Sequence, residues 1–434
     1  MSGSKDYPMH HITEFKGLKD VSIDLMRPFT LLIGPNGSGK TNVIEAIELL
    51  SFIARGQPLY EIANVGRTET GLQIRGGLQA CGHMGEDIFA LGFGASLRFD
   101  GVLKQVLYRI HLRTKPHSQI QYEELKVGDR IIYKTLPKNS GTASRDVMVI
   151  YDNFADRGRN PQTAVSSQRS VLSQYPEIAQ KNRKLKQCIL LVHKIMYHLQ
   201  ALFVFDPNPK LMHSYERIGN NSLSKEGANL SAVLYSLSTG DETQQASLDR
   251  LLFQISQLPD KPYDKIDFTT TDRGDVIFGL REKTGYTVDA HSLSDGILRT
   301  LAILTALETV QASSHVIVEN FDNGLHPGRI GILTSAIAEA IERRDLRVLV
   351  TTHNPATMNN LTPEQMQGVV LCTWSEEKQA ADLVELDSLP RSDELLERGP
   401  LGDLVSRRVI EQYLAPEFEE QHRQKMLKWV KTLP

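Results

Sequence analysis

The chain has 434 residues, a formal net charge of −3, 40% hydrophobic and 23% charged side chains, an ordinary globular composition with room for two or three domains. This balance gives no global pull toward nucleic acid or an anionic membrane, so either partner would need a local patch. Cys81, Cys188 and Cys372 are far apart without metal-ligand spacing, Met1 to Asp6 lacks the apolar core of a secretory signal, and Cys188 to Phe205 is interrupted by His193, Lys194, His198 and Gln200. A cytoplasmic chain with no membrane partner is expected.

In chain order, His11 to Leu25 alternates around a polar turn and predicts a hairpin leading into the apolar strand Phe29 to Ile33. Gly34-Pro35-Asn36-Gly37-Ser38-Gly39-Lys40-Thr41 follows directly, and Asn42 to Phe52 has helical spacing. A strand running through a glycine-rich turn into a helix aims backbone N–H groups and the positive helix end at one point, where phosphates sit. Gly34, Gly37 and Gly39 allow that backbone, Lys40 reaches the β- and γ-phosphates, and Thr41 is placed to hold Mg²⁺. The candidate nucleotide contacts therefore run from Gly34 through Asn36, Gly37, Ser38, Gly39, Lys40 and Thr41 to Asn42.

Strand-like runs at Phe89 to Phe99, Val106 to Leu112, Arg130 to Tyr133 and Val147 to Tyr151 predict an antiparallel sheet. Asp156 to Val171 is polar and turn-rich, the pattern of a loop. Helical spacing covers Gln174 to Leu202 and Asn229 to Leu258. The basic cluster Lys181-Asn182-Arg183-Lys184-Leu185-Lys186 suits either a solvated helix face or contact with phosphate backbone. Strand text returns at Lys265 to Leu280 and Tyr286 to Asp289, and the chain then becomes α/β.

Leu293-Ser294-Asp295-Gly296-Ile297-Leu298-Arg299 opens the apolar helix Leu301 to Leu307, and Ser294 and Gly296 present a hydroxyl and free N–H groups at its start. His315 to Val318 is a buried strand ending in Glu319, the candidate Mg²⁺ partner directly or through water. Arg347 to Thr352 is the next strand, and His353 at its end can orient the attacking water or sense the γ-phosphate.

The ordered set GPNGSGKTN, LSDGILR, VIVENFDNGLHP and VLVTTHNP resembles the ATP-binding-cassette ATPases of the SMC and RecF kind, specifically the standalone AAA-family ATPases that include OLD-like proteins. The resemblance covers residues 10 to 55 and 265 to 361. It implies an α/β ABC-type P-loop head with an antiparallel β subdomain and a helical insertion, divided as 1–155 and 263–390 for the two parts of the ATPase lobe, 156–262 for the insertion and 391–434 for a helical tail. It further implies ATP and Mg²⁺ as cofactors and a homodimer, or a higher oligomer, with each nucleotide sandwiched between two heads. Ser294 and Gly296 would then contact the γ-phosphate on the partner's loop, and Asp322 and Asn323 would lie in the loop crossing the interface.

The family usually carries glutamate where this chain has Asn320, although some defence-associated members also have Asn there. Asparagine can orient water but takes no proton, so slow hydrolysis is expected. OLD-like nucleases append a Toprim module after the histidine motif, and no such acidic pattern follows His353. The resemblance thus implies a switch acting on a separate effector, a nuclease or toxin, in antiphage systems of the Septu or PARIS type. The alternatives are a DNA-repair or chromosome-maintenance ATPase, with DNA as a direct partner, and a non-hydrolysing ATP-binding scaffold.

Overall fold

The structure, a computed structural model, describes residues 9–25, 27–64, 71–99, 101–137, 146–155, 158–179, 185–258 and 263–414. β1 (Met9–Phe15) and β2 (Leu18–Asp24) form the expected hairpin, paired antiparallel from Met9 opposite Asp24 to Phe15 opposite Leu18. β3 (Phe29–Ile33) is buried along its whole length. A continuous apolar run suits a strand covered on both faces: Leu32 points into one core with α1 (Lys40–Ala54), and Phe29, Leu31 and Ile33 point into the other.

β4 (Ala63–Asn64) and β5 (Gln73–Ile74) make a small parallel pair. β6 (Ile88–Phe99), β7 (Val102–Arg113), β8 (Gln119–Val127), β9 (Arg130–Thr135) and β10 (Asp146–Tyr151) run antiparallel in sequence order, as the alternating text predicts. β11 (Gln162–Ser166) extends this meander by pairing with β10. It lies within the stretch expected to be a loop; Gln162, Thr163 and Ala164 carry little apolar signal because β11 forms an outer edge.

α2 (Val171–Ala179) and α3 (Lys186–Gln200) pack with α1, and β12 (Leu202–Phe205) then enters the sheet parallel to a later strand. The region expected as a helical insertion is therefore interleaved with the sheet through β11 and β12. The helical period running into Leu202 hides the strand Phe203-Val204-Phe205 that follows. Residues 181 to 184 of the basic cluster lie outside the described residues.

β13 (Glu216–Arg217), β14 (Tyr263–Thr270), β15 (Asp275–Glu282) and β16 (Thr287–Asp289) form a separate antiparallel sheet. It packs with α4 (Leu230–Ser238) and α5 (Glu242–Ile255), on which α6 (Asp295–Thr309) packs in turn. β17 (His315–Val318), α7 (Ile330–Arg344), β18 (Arg347–Thr352), α8 (Pro355–Asn359), α9 (Pro363–Met366), β19 (Val369–Ser375) and β20 (Ala380–Glu385) complete the α/β part. Short helices at Leu401–Ser406 and Val409–Leu414 begin the expected tail, whose remainder lies outside the described residues.

One sheet of fourteen strands joins everything from β11 to β12, in the order β11-β10-β9-β8-β7-β6-β1-β2-β20-β19-β3-β18-β17-β12. Its β19-β3-β18-β17-β12 portion is parallel, so the chain segments after all five strands leave at one edge. Among the described residues no helix is long and apolar enough to cross a membrane.

Candidate nucleotide site

At that edge the turn after β3 wraps into α1. Gly34, Gly37 and Gly39 all have positive φ, at 157°, 84° and 105°. Gly34 and Gly39 are also confined by the floor beneath them. A Cβ at Gly34 would stand 2.2 Å from Cys372 O, and one at Gly39 would stand 2.7 Å from Ala381 Cβ. Above Gly37 there is open space. The Cys372 thiol donates to Ser38 O at 2.8 Å, fastening the loop to β19 from below.

The loop borders a cavity of about 180 Å³ lined by Asn36, Gly37, Gly39, Lys40, Thr41, Asn42, Arg75, Glu319, Asn320 and Thr351. Lys40 is buried and donates to the carbonyls of Gly34 at 2.7 Å and Pro35 at 2.9 Å, its ammonium pulled down in pKa by burial. The Thr41 hydroxyl donates to Glu319 Oε1 at 2.7 Å. Burial raises the Glu319 carboxyl above its ordinary value; the Thr41 bond opposes this and the nearby Asp206 carboxylate adds to it.

The residues fit a triphosphate on two observations. Ser38 Oγ is buried and has no hydrogen-bond partner among the described residues, and the position of a Cβ on Gly37 is open space beside the cavity. The Thr41 and Glu319 oxygens also suit a hard divalent cation. Among the described residues no group of three or more His, Cys, Asp or Glu side chains is arranged to hold a metal ion, so a cation here would take its other oxygens from phosphate and water.

Arg75, which sequence reasoning missed, also lines this cavity. Its guanidinium Nε bonds Glu45 Oε1 at 3.0 Å, and the same carboxylate pairs with Lys16. Arg75 follows a two-residue strand in glycine-rich text, and only the tertiary pairing with α1 brings it here.

Asn320 has φ 46°, a left-handed conformation that asparagine tolerates better than most residues, and its N–H donates to Thr351 Oγ1 at 2.9 Å. Asp322 does not face the cavity. Its carboxylate is only 4% exposed and accepts from Thr352 Oγ1 at 2.6 Å and from Thr357 Oγ1. Expected as a nucleotide contact in the loop that crosses an interface, it anchors that loop, after β17, to the start of α8. His353 is exposed at the end of β18 and is not among the cavity-lining residues.

Ser294 caps α6, its Oγ accepting from Ile297 N at 3.4 Å, and both Ser294 and Asp295 are exposed. Gly296 is buried because the loop after β17 lies on it: a Cβ there would be 2.3 Å from Gly324 O. Arg299, one turn on, donates to the carbonyls of Glu319 at 3.4 Å and Asn320 at 3.2 Å. The start of α6 is thus fixed to the acidic strand end, yet Ser294 and Gly296 do not line the phosphate cavity of their own chain.

A buried parallel strand, a glycine-rich turn and a helix, with Glu319 at the end of a nearby parallel strand, form a phosphate-loop site. An "AAA ATPase domain" family model matches residues 10–55, and one described as "AAA domain, putative AbiEii toxin, Type IV TA system" matches residues 205–359. Over those two segments the chain is similar to AAA-type ATPase domains, and over shorter ones to RecF and Smc proteins. It is 59% identical over 39 residues to the DNA replication and repair protein RecF of Vibrio campbellii, covering 9% of this chain and 11% of that one. It is 33% identical over 101 residues to the RecF of a Synechococcus species, covering 23% and 26%. The matches therefore span only about a tenth to a quarter of those relatives. The Smc head domain bound to the C-terminal domain of ScpA, derived from Pyrococcus furiosus, is similar at TM-score 0.42 and 12% identity over 90% of this chain and 99% of that one.

Proposed function

We propose that this chain binds ATP with Mg²⁺, pairs with a second copy around the nucleotide, and hydrolyses it slowly, acting as a switch on a separate effector protein. The observation that carries the reading is the position of α6. Its N-terminus is exposed and rigidly mounted on the end of β17, but contributes nothing to the phosphate cavity of its own chain. The exposed Ser294 and Asp295 at the start of a fifteen-residue helix, with its dipole behind them, suit the phosphates of another chain's nucleotide.

Within one head, Gly37, Ser38 and Lys40 hold the phosphates, and Thr41 and Glu319 hold the cation. Magnesium, when bound, neutralises charge on the transferring phosphoryl group. Asn320 positions a water without accepting its proton, and His353 completes its surroundings. The effector is a nuclease or toxin in an antiphage setting; the family matched at residues 205–359 is itself described as a putative AbiEii toxin of a Type IV TA system. The RecF similarity favours a second reading, a DNA-repair ATPase, which predicts hydrolysis stimulated by DNA and salt-dependent DNA binding.

Light scattering on the full chain tests the pairing. Wild type should become a dimer with ATP and Mg²⁺. S294R should bind ATP normally yet stay monomeric, and K40A should lose both. Wild type that binds ATP at saturation but remains a monomer overturns the pairing. DNA-stimulated turnover would move the assignment to the repair reading.

A further inference from the structure

β19 passes beneath the phosphate loop, and its alternate residues face it. Cys372 does so through its thiol. Trp374, two residues later, shares that face, and its cross-strand partner Ala381 is the residue against which Gly39 packs. The β1–β2 turn closes the same corner: Ala381 N donates to Gly17 O at 2.7 Å. A Cβ on Gly17 would stand 2.9 Å from Asn42 Nδ2 and 3.7 Å from Trp374 Cζ3. The indole therefore lies beside the first turn of α1, next to an Asn42 that lines the phosphate cavity.

Trp374 is 44% exposed, and among the described residues no ring, cation or hydrogen-bond partner engages it. A single exposed aromatic is unremarkable by itself; direction gives this one meaning. Thr41, Glu319 and Asn320 fix the terminal-phosphate end of the cavity on the side of β18 and β17. A nucleotide seated that way leaves the cavity on the opposite side of β3, where β19, β20 and β2 stand. Trp374 is an exposed aromatic on that side, close to Asn42.

We propose that Trp374 is the stacking platform for the base of the bound nucleotide, with Gly17 letting the β1–β2 turn pack closely against the indole and Asn42. This rests on the nucleotide reading above. A π-face recognises any base, so the platform supplies affinity for purine nucleotides generally, without choosing ATP over GTP.

The test compares ATP, GTP and inorganic tripolyphosphate binding by calorimetry on the full chain, for wild type, W374F and W374A. Base stacking predicts that W374A weakens ATP and GTP about 10- to 100-fold. It predicts unchanged tripolyphosphate affinity and an intermediate W374F. The sequence has two tryptophans, so in a W429F background ATP should quench the remaining fluorescence and tripolyphosphate should not. Equal ATP affinity in W374A and wild type overturns the platform, as does parallel loss of ATP and tripolyphosphate. If wild type binds neither ligand, the nucleotide reading itself fails and takes the platform with it.

Discussion

Thr41 Oγ1 and Glu319 Oε1 are 2.7 Å apart, although 278 residues separate them in the chain. The contact ties the first turn of the loop helix to the end of β17, and its two oxygens are where a divalent cation would bind. E319Q keeps the shape and removes the charge, so it should weaken ATP binding about tenfold or more in Mg²⁺ and change it little in chelator. Because burial holds the Glu319 carboxyl above its ordinary pKa, the Mg²⁺-dependent part of the affinity should fade as pH falls, beginning above the usual carboxylate range. Titration calorimetry with and without Mg²⁺ checks both; equal loss in the two conditions would remove the metal role.

Asn320 predicts slow turnover. General-base assistance contributes about 10²- to 10⁴-fold, so N320E should raise the hydrolysis rate within that range. The substitution has a cost: at φ 46° a glutamate is less well tolerated than asparagine, by about 1 kcal/mol. Phosphate release and thermal unfolding should be measured together on the variant. Wild-type turnover equal to that of a well-folded N320E would contradict the slow site.

Gly296 predicts a reversal of sign. Glycine-to-alanine changes within helices usually stabilise by about 1 kcal/mol. Here the new Cβ would lie 2.3 Å from the Gly324 carbonyl oxygen, so G296A must displace the loop after β17 and should lower the melting temperature. A melting temperature at or above that of wild type would show that this packing is loose.

Glu123 predicts pH-dependent stability. It is fully buried in the meander and accepts from Tyr108 and Tyr133 hydroxyls and from the N–H groups of Val171 and Leu172, both at 2.7 Å, at the start of α2. Burial pushes its carboxyl up to about 7 from 4.5, against the pull of those donors. The fold therefore binds this proton more tightly than the unfolded chain. Its contribution to stability should fall as pH rises from about 4.5 to about 7 and then level off, on the order of 3 kcal/mol in all. Urea unfolding across that window should show the fall in wild type and a smaller one in E123Q. E123A should cost roughly 3 kcal/mol or more, by stranding buried donors.

The phosphate loop, its strand and helix, and Glu319 are legible in the sequence because each rests on a local pattern: an apolar run, glycines at fixed offsets, or a carboxylate ending a strand. Arg75 and Trp374 are not. Arg75 reaches the cavity through its distant pairing with Glu45, and Trp374 comes to lie beside Asn42 through Ala381 and Gly17. The inward turn of the Asp322 carboxylate, held by two threonine hydroxyls, is likewise set by residues 30 and 35 positions away. β12 is missed because four strand residues directly follow a fifteen-residue helix whose period dominates the text.

The contact between Gly296 and Gly324, with Arg299 gripping the Glu319 and Asn320 carbonyls, ties the start of α6 directly to the loop after β17. Whatever presses on Ser294 from outside also leans on Asn320 within the same chain. In a pair of heads each bound nucleotide would thus feel the occupancy of the other, so the two ATP molecules should bind and turn over cooperatively rather than as independent events.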